Sequence, residues 1–247
     1  VTFANGADVI TASAGTSNFR FGVNAGASIE SGGNFNVLIG DEAGTAITTG
    51  TQNVALGAFA LASNTTADNN IAIGLNSLRA NTTGAGNIAI GRSSLRTNTT
   101  ASNNTAIGLN ALTVNTTGAN NVAVGAASLD ANTTASNNTA VGYNSLGLNT
   151  TGTLNTAIGQ NAGASITTGI RNTTVGAASL DAEVAGNYST AMGYGALSVQ
   201  SNASGTDVYN TAFGYLAGAA VTTGTFNTLI GGLAGDGMTT GATNVAV

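Results

Sequence analysis

One spacing dominates this chain. The pentapeptide Asn-x-Ala-x-Gly begins at Asn53, Asn70, Asn87, Asn104, Asn121, Asn138 and Asn155, with 17 residues between successive copies. Looser copies extend the series back to Asn36 and forward to Asn172, and Ser189 takes the Asn place in the next copy. Asn210 follows Ser189 after 21 residues instead of 17, so four residues are inserted, and Asn227 and Asn244 restore the 17-residue step. Asn18 opens a further copy one residue out of phase. We therefore read residues 18–247 as one repeat array, with the insertion between 189 and 210, and residues 1–17 as a degenerate repeat or a cap. Self-similarity at a short fixed period is the signature of stacked repeats that share one continuous core.

The period points to a β-solenoid. In Asn53-Val54-Ala55-Leu56-Gly57 large and small apolar residues alternate, which is the strand period of two. A second short strand is expected through segments such as Gly74-Leu75-Asn76-Ser77-Leu78. Links such as Asn81-Thr82-Thr83-Gly84 are turn formers. β-branched residues, Asn and Gly are poor helix-interior residues, so a helical reading fails. The expected fold is all-β, a parallel β-solenoid or β-roll of 17-residue coils. Roughly 13 coils stacked at about 4.8 Å make a rod of about 60 Å.

Columns through the stack sort inside from outside. Leu61, Leu78, Leu95, Leu112, Leu129 and Leu146 recur in register, each followed three residues later by Asn. Other coils carry Gly and an apolar residue at those two places: Gly26/Ile29, Gly44/Ile47, Gly163/Ile166, Gly218/Val221 and Gly235/Met238. Each coil thus supplies one large apolar group by one of two routes, and those leucines are the expected core. The near-constant column Asn53, Asn70, Asn87, Asn104, Asn121, Asn138 and Asn155 is the expected structural ladder of coil-to-coil amide hydrogen bonds. The residue after the motif Gly and the residue after the core Leu both vary in size and charge, so both columns are expected to face outward.

At this motif the sequence resembles the head repeat of trimeric autotransporter adhesins of the Yersinia adhesin type, Asn-x-Ala-Ile/Val-Gly-x-x-Ser/Ala. Arrays with the longer Asn-Thr-Thr-Gly link are similar to those of bacteriophage tail fibres. The adhesin resemblance implies a left-handed roll with three chains side by side, hence a homotrimer. It also implies an extracellular site, on a bacterial surface or a virion tail fibre, and a host-cell, matrix or glycan receptor. The 17-residue coil is longer than the typical adhesin-head repeat. No neck, heptad stalk or membrane anchor is expected within residues 1–247, so the resemblance concerns the repeat and not a whole architecture.

Composition narrows the chemistry. The chain has no His, Cys, Pro, Trp or Lys, and its five cations are all Arg in a net charge of −5. Zinc fingers, thiol catalysis and His-based triads are therefore excluded, and a surface that tracks nucleic-acid phosphates is not expected. Adjacent Asp41 and Glu42 would point to opposite strand faces, and no other carboxylates pair closely, so we expect no enzyme, catalytic residue, metal or cofactor. No apolar run approaches the ~18 residues of a membrane helix. No signal-peptide pattern opens the chain at Val1, which we read as a mature product or a segment of something longer. The recurring Asn-x-Ser/Thr sequons, as at Asn64, Asn81 and Asn103, are read as the turn itself and not as glycan acceptors.

Two surface features remain. Thr pairs such as Thr65/Thr66 and Thr82/Thr83 form columns like those of ice-binding solenoids, a minor alternative, although turn formation explains them. Tyr188, Tyr194, Tyr209 and Tyr215 gather around the insertion, and Tyr194, Tyr209 and Tyr215 are the candidate binding surface, since exposed Tyr supplies contact area with a polar tip. The competing reading is that these rings pack the inserted loop against the rod.

Overall fold

The structure is a computed structural model that describes residues 14–247; most of the degenerate segment assigned to 1–17 lies outside those residues. The described chain forms a parallel β-solenoid without a helix. Its fourteen short strands run from β1 (Phe19–Phe21) to β14 (Val245–Ala246). They pair in strict sequence order in a single parallel sheet. Register is exact at the level of the repeat: Ala55 pairs with Ala72, and Ala72 with Ala89. The four extra residues leave the strand pairing untouched, since Thr190 still pairs with Thr211 and Ala191 with Ala212.

The expected second strand is absent. Residues 74–80 form turns, because the chain enters the left-handed region at alternate residues, with φ of 59° at Asn76 and 48° at Leu78. A pleated strand does not contain such residues. Stacking survives without it, because these residues bond alternately to the coils on either side. Asn76 donates its N–H back to Ala58 O at 3.0 Å, and Leu78 donates forward to Ser94 O at 2.9 Å.

The strand turns its small residue inward. Ala55, Ala72, Ala89, Ala106 and their counterparts are fully buried, while flanking residues such as Val54 and Leu56 stay partly or largely exposed. Facing the alanines, Leu61 through Leu146 fill the interior and are fully buried. The motif glycine makes this thin section possible. At Gly125, φ is +137° and an added Cβ would lie 2.4 Å from the carbonyl oxygen of Gly142 in the next coil. Any side chain there would force the coils apart.

The two routes to a filled core meet in one space. A Cβ added at Gly44 would lie 2.8 Å from both the Ile47 and Leu38 side chains, so the isoleucine already occupies the room a leucine would fill. Gly44 and Leu78 share the left-handed conformation, with φ of 56° and 48°. Leucine pays a backbone strain of about 1–2 kcal/mol there, offset by burial of its side chain at about 2–3 kcal/mol. Coils with glycine avoid the strain and fill the space from three residues later. Leu146→Gly is therefore expected to destabilise the rod by about 2–5 kcal/mol, as large-to-small core changes do. Adding Asn149→Ile, which copies the next coil's Gly163/Ile166, should recover most of that loss in equilibrium unfolding.

Candidate functional site: the amide ladders and the insertion

Each regular coil is closed by two asparagines that converge on one carbonyl. Asn53 Nδ2 and Asn64 Nδ2 both donate to Ala67 O, at 2.9 and 3.0 Å. Asn104 and Asn115 do the same to Gly118 O, each at 2.9 Å. A carbonyl has two lone pairs, and here both are filled. The amides then relay between coils. Asn104 Oδ1 accepts the backbone N–H of Asn121 at 2.9 Å and its side-chain N–H at 3.2 Å. In the second column Asn81 donates to Asn64 Oδ1 at 3.0 Å and Asn98 to Asn81 Oδ1 at 2.8 Å. All members from Asn53 to Asn155 are fully buried, as are Asn64 through Asn149. That burial also removes the Asn64-type sequons from the surface, whereas Asn103 and Asn137 are exposed.

Asn104→Leu would strand the Asn121 N–H and one lone pair of Gly118 O. Leaving a buried polar group unpaired costs about 1–3 kcal/mol, so a lowered unfolding midpoint is expected for Asn104→Leu and equally for Asn121→Leu. The natural break in the second column shows how this cost is limited. Ile166 follows Asn149, and Asn149 Oδ1 is left without a hydrogen-bond partner at that one junction.

The ladders are rebuilt differently at the insertion. Ser189 has no amide to relay, and Glu183 and Gln200 replace the second-column asparagines. Gln200, one methylene longer, reaches across: its Nε2 donates to Ser189 Oγ and to Glu183 Oε2, each at 2.9 Å. Asn210 Nδ2 donates to Gln200 Oε1 at 2.8 Å, which carries the first ladder past the missing amide. Glu183 is fully buried and faces donors only. Its Oε1 accepts the backbone N–H groups of Val184, Ala185, Gly186 and Asn202 at 2.8–3.1 Å. Its Oε2 also takes Asn202 Nδ2 at 3.2 Å.

Successive backbone N–H groups form a concavity suited to an anion, and this carboxylate ties the root of the inserted loop to the preceding coil. Asn187 N–H donates to Thr206 O at 2.9 Å and Val208 N–H to Asn187 O at 3.0 Å, which pins the loop's return. Ala203, Ser204 and Gly205 form its exposed tip. In Glu183→Gln an amide N–H would face the Gln200 and Asn202 donors. We expect a loss on the order of 2–3 kcal/mol, the range for hydrogen bonds to a charged group. Faster proteolytic cleavage at residues 203–205 should accompany it, with the distant coils unaffected.

The tyrosine rings stack coil on coil along the rod. Tyr188, Tyr209 and Phe226 occupy one column and stack along the rod, with centroids 4.9 Å apart for the first pair and 5.3 Å for the second. Arg171 caps the stack, its Cζ 5.5 Å from the Tyr188 ring centre and its Nη1 donating to the Tyr188 hydroxyl at 2.7 Å. Tyr194 and Tyr215 form a second stack at 5.6 Å on the other side of the strands. Both faces of Tyr209 are thus covered, so it offers a ligand its edge and hydroxyl. Tyr194 and Tyr215 keep one outer face each, opposite Ala177 and Gly232.

The paired threonines divide their work. Thr48, Thr65 and Thr82 donate their hydroxyls to the carbonyl of the equivalent threonine one coil on, at 3.0–3.3 Å. Thr49, Thr66, Thr83 and Thr100 are exposed, a single outward file with no second threonine file beside it. Among the described residues no group of three His, Cys, Asp or Glu is placed to hold a metal ion. No described helix is long and apolar enough to cross a membrane. No protein-family model, curated protein or solved structure matches the chain.

Proposed function

We propose that this chain is a non-enzymatic structural and adhesive segment of an extracellular fibre: a rigid spacer built as a left-handed β-roll of three chains. The supporting observation is the outer face of the sheet. Its second outward column is apolar along the whole sheet, as in Leu56, Ile73, Ile90, Ile107, Val124, Ile158, Phe213 and Ile230, whereas its first is apolar in Val54, Ile71, Ile88 and Val122 and threonine from Thr139 to Thr228. A strip three residues wide and about 60 Å long covers about 600 Å². That approaches the ~800 Å² per partner of a stable protein interface. An unbroken apolar column along a strip of this size marks an association site, and a second and third copy of the same strip share its coil spacing.

The fibre reading also rests on the amide ladders, which give a long rod stiffness from nearest-neighbour contacts alone. Light scattering should give three times the 23.8 kDa chain mass. Ile73→Glu combined with Ile90→Glu, both on the outer face, should return monomers; a wild-type monomer would contradict the trimer. Electron microscopy of the native source then separates two homes for the rod. Rods on a cell surface support a bacterial adhesin, rods on a virion support a bacteriophage tail fibre, and rods in neither place overturn the reading.

A further inference from the structure

The column after the core leucine carries Arg79 and Arg96 on consecutive coils, both exposed. Ala80 donates its N–H to the Arg96 carbonyl at 3.0 Å, so the two coils are in direct contact there. The side chains leave the backbone about 4.8 Å apart. Like charges on adjacent rungs repel. Among the described residues neither guanidinium has a carboxylate partner. Arg79 is instead held on the face of Phe59, its Cζ 5.0 Å from the ring centre.

Ser63, Arg79, Ala80, Arg96 and Thr97 line an open groove of about 240 Å³. The Thr97 hydroxyl is spent on Thr113 O and Asn115 O, whereas that of Ser63 makes no bond within the chain. The wider surroundings reinforce the charge. Residues 69–129 contain Arg79, Arg92 and Arg96 and no Asp or Glu, in a chain with ten acids and a net charge of −5. Asp130 and Asp181 appear in the same column only beyond that belt, where burial raises their carboxyl pKa.

We propose that Arg79 and Arg96, with the Ser63 hydroxyl, bind a sulfate or phosphate ester carried on a polysaccharide. Two guanidinium forks on neighbouring coils suit a group with three free oxygens, whereas a carboxylate satisfies a single fork. The groove is open, and small residues floor it, which leaves room for a sugar chain on either side of the ester. A nucleic acid would bring a charge at every residue onto a rod that is acidic beyond the belt. It would also need a free aromatic face for its bases, and Arg79 already covers Phe59. This inference rests on the adhesive reading and names its ligand class.

The test is calorimetric titration of the intact rod with sparsely sulfated dextran, sparsely phosphorylated dextran, unmodified dextran and inorganic sulfate. Binding of at least one esterified dextran and not of plain dextran is expected, and which one binds identifies the ester. Arg79→Ser with Arg96→Ser should weaken that binding at least tenfold with an unchanged melting temperature. Arg92→Ser, which removes one positive charge from another column, should leave it within twofold. The inference is overturned by binding of neither ester, by binding of inorganic sulfate without either polymer, by a double variant that binds like wild type, or by an equal loss in Arg92→Ser. Rods seen on cells that ignore both esters would defeat this inference alone. Rods that bind an ester but sit on neither cell nor virion would defeat the adhesive reading alone.

Discussion

The convergence of two asparagine side chains on one backbone carbonyl is the constraint around which each coil is organised. A coil this thin encloses little apolar volume, with alanine on one wall and a single leucine or isoleucine opposite. Burial of that core alone is a small contribution per residue. The Asn53–Ala67–Asn64 arrangement adds two buried, well-directed hydrogen bonds that fix where the turn returns to the strand. The same amides then accept from the following coil, so closure of one coil positions the donors of the next. Chains of hydrogen bonds in a low-dielectric interior strengthen one another, and a partly satisfied chain is costly. That asymmetry explains why the asparagine columns tolerate so little variation while the outward columns accept Arg, Asp, Leu and Tyr.

The two ends of this logic are visible where the columns change. Where Ile166 interrupts the second column, the cost is confined to one orphaned oxygen at Asn149 and one unfilled lone pair on Gly169 O, because the isoleucine fills the core and the first column runs on. Where Ser189 interrupts the first column, the longer Gln200 reaches over and a buried Glu183 anchors the loop that accompanies the change. The insertion is therefore a local event, and the strands on either side keep their register.

Much of this was legible in the sequence, because a column in a solenoid is read directly from the period. The strand positions, the buried leucines and the exchange between Leu78-type and Gly44-type coils all follow from spacing. The expected second strand did not form, since the residue types over Gly74 to Leu78 do not reveal backbone handedness. Only the recurrence of Asn two residues after the motif glycine, and of Gly four residues after it, hinted at left-handed turns. The shared carbonyl acceptor lay beyond sequence reasoning, since two side chains meeting on one oxygen is a fact of three dimensions. Glu183, Ser189 and Gln200 carry a further signal: three exceptions to the asparagine columns fall within two consecutive coils, beside the four-residue insertion. The stacking of Tyr188, Tyr209 and Phe226 was equally available, since all three precede a motif residue by one position.

Hydrogen exchange of the asparagine side-chain amides, followed by NMR on protein labelled with nitrogen-15 at asparagine, tests the ladder most directly. If the ladders organise the rod, the Nδ2 protons of Asn53 through Asn155 and of Asn64 through Asn149 exchange only when coils open. Their rates should then track those of the core backbone amides, while exposed Asn103 and Asn137 exchange freely. Rapid exchange along both buried columns, at the rate of Asn103 and Asn137, would contradict the account.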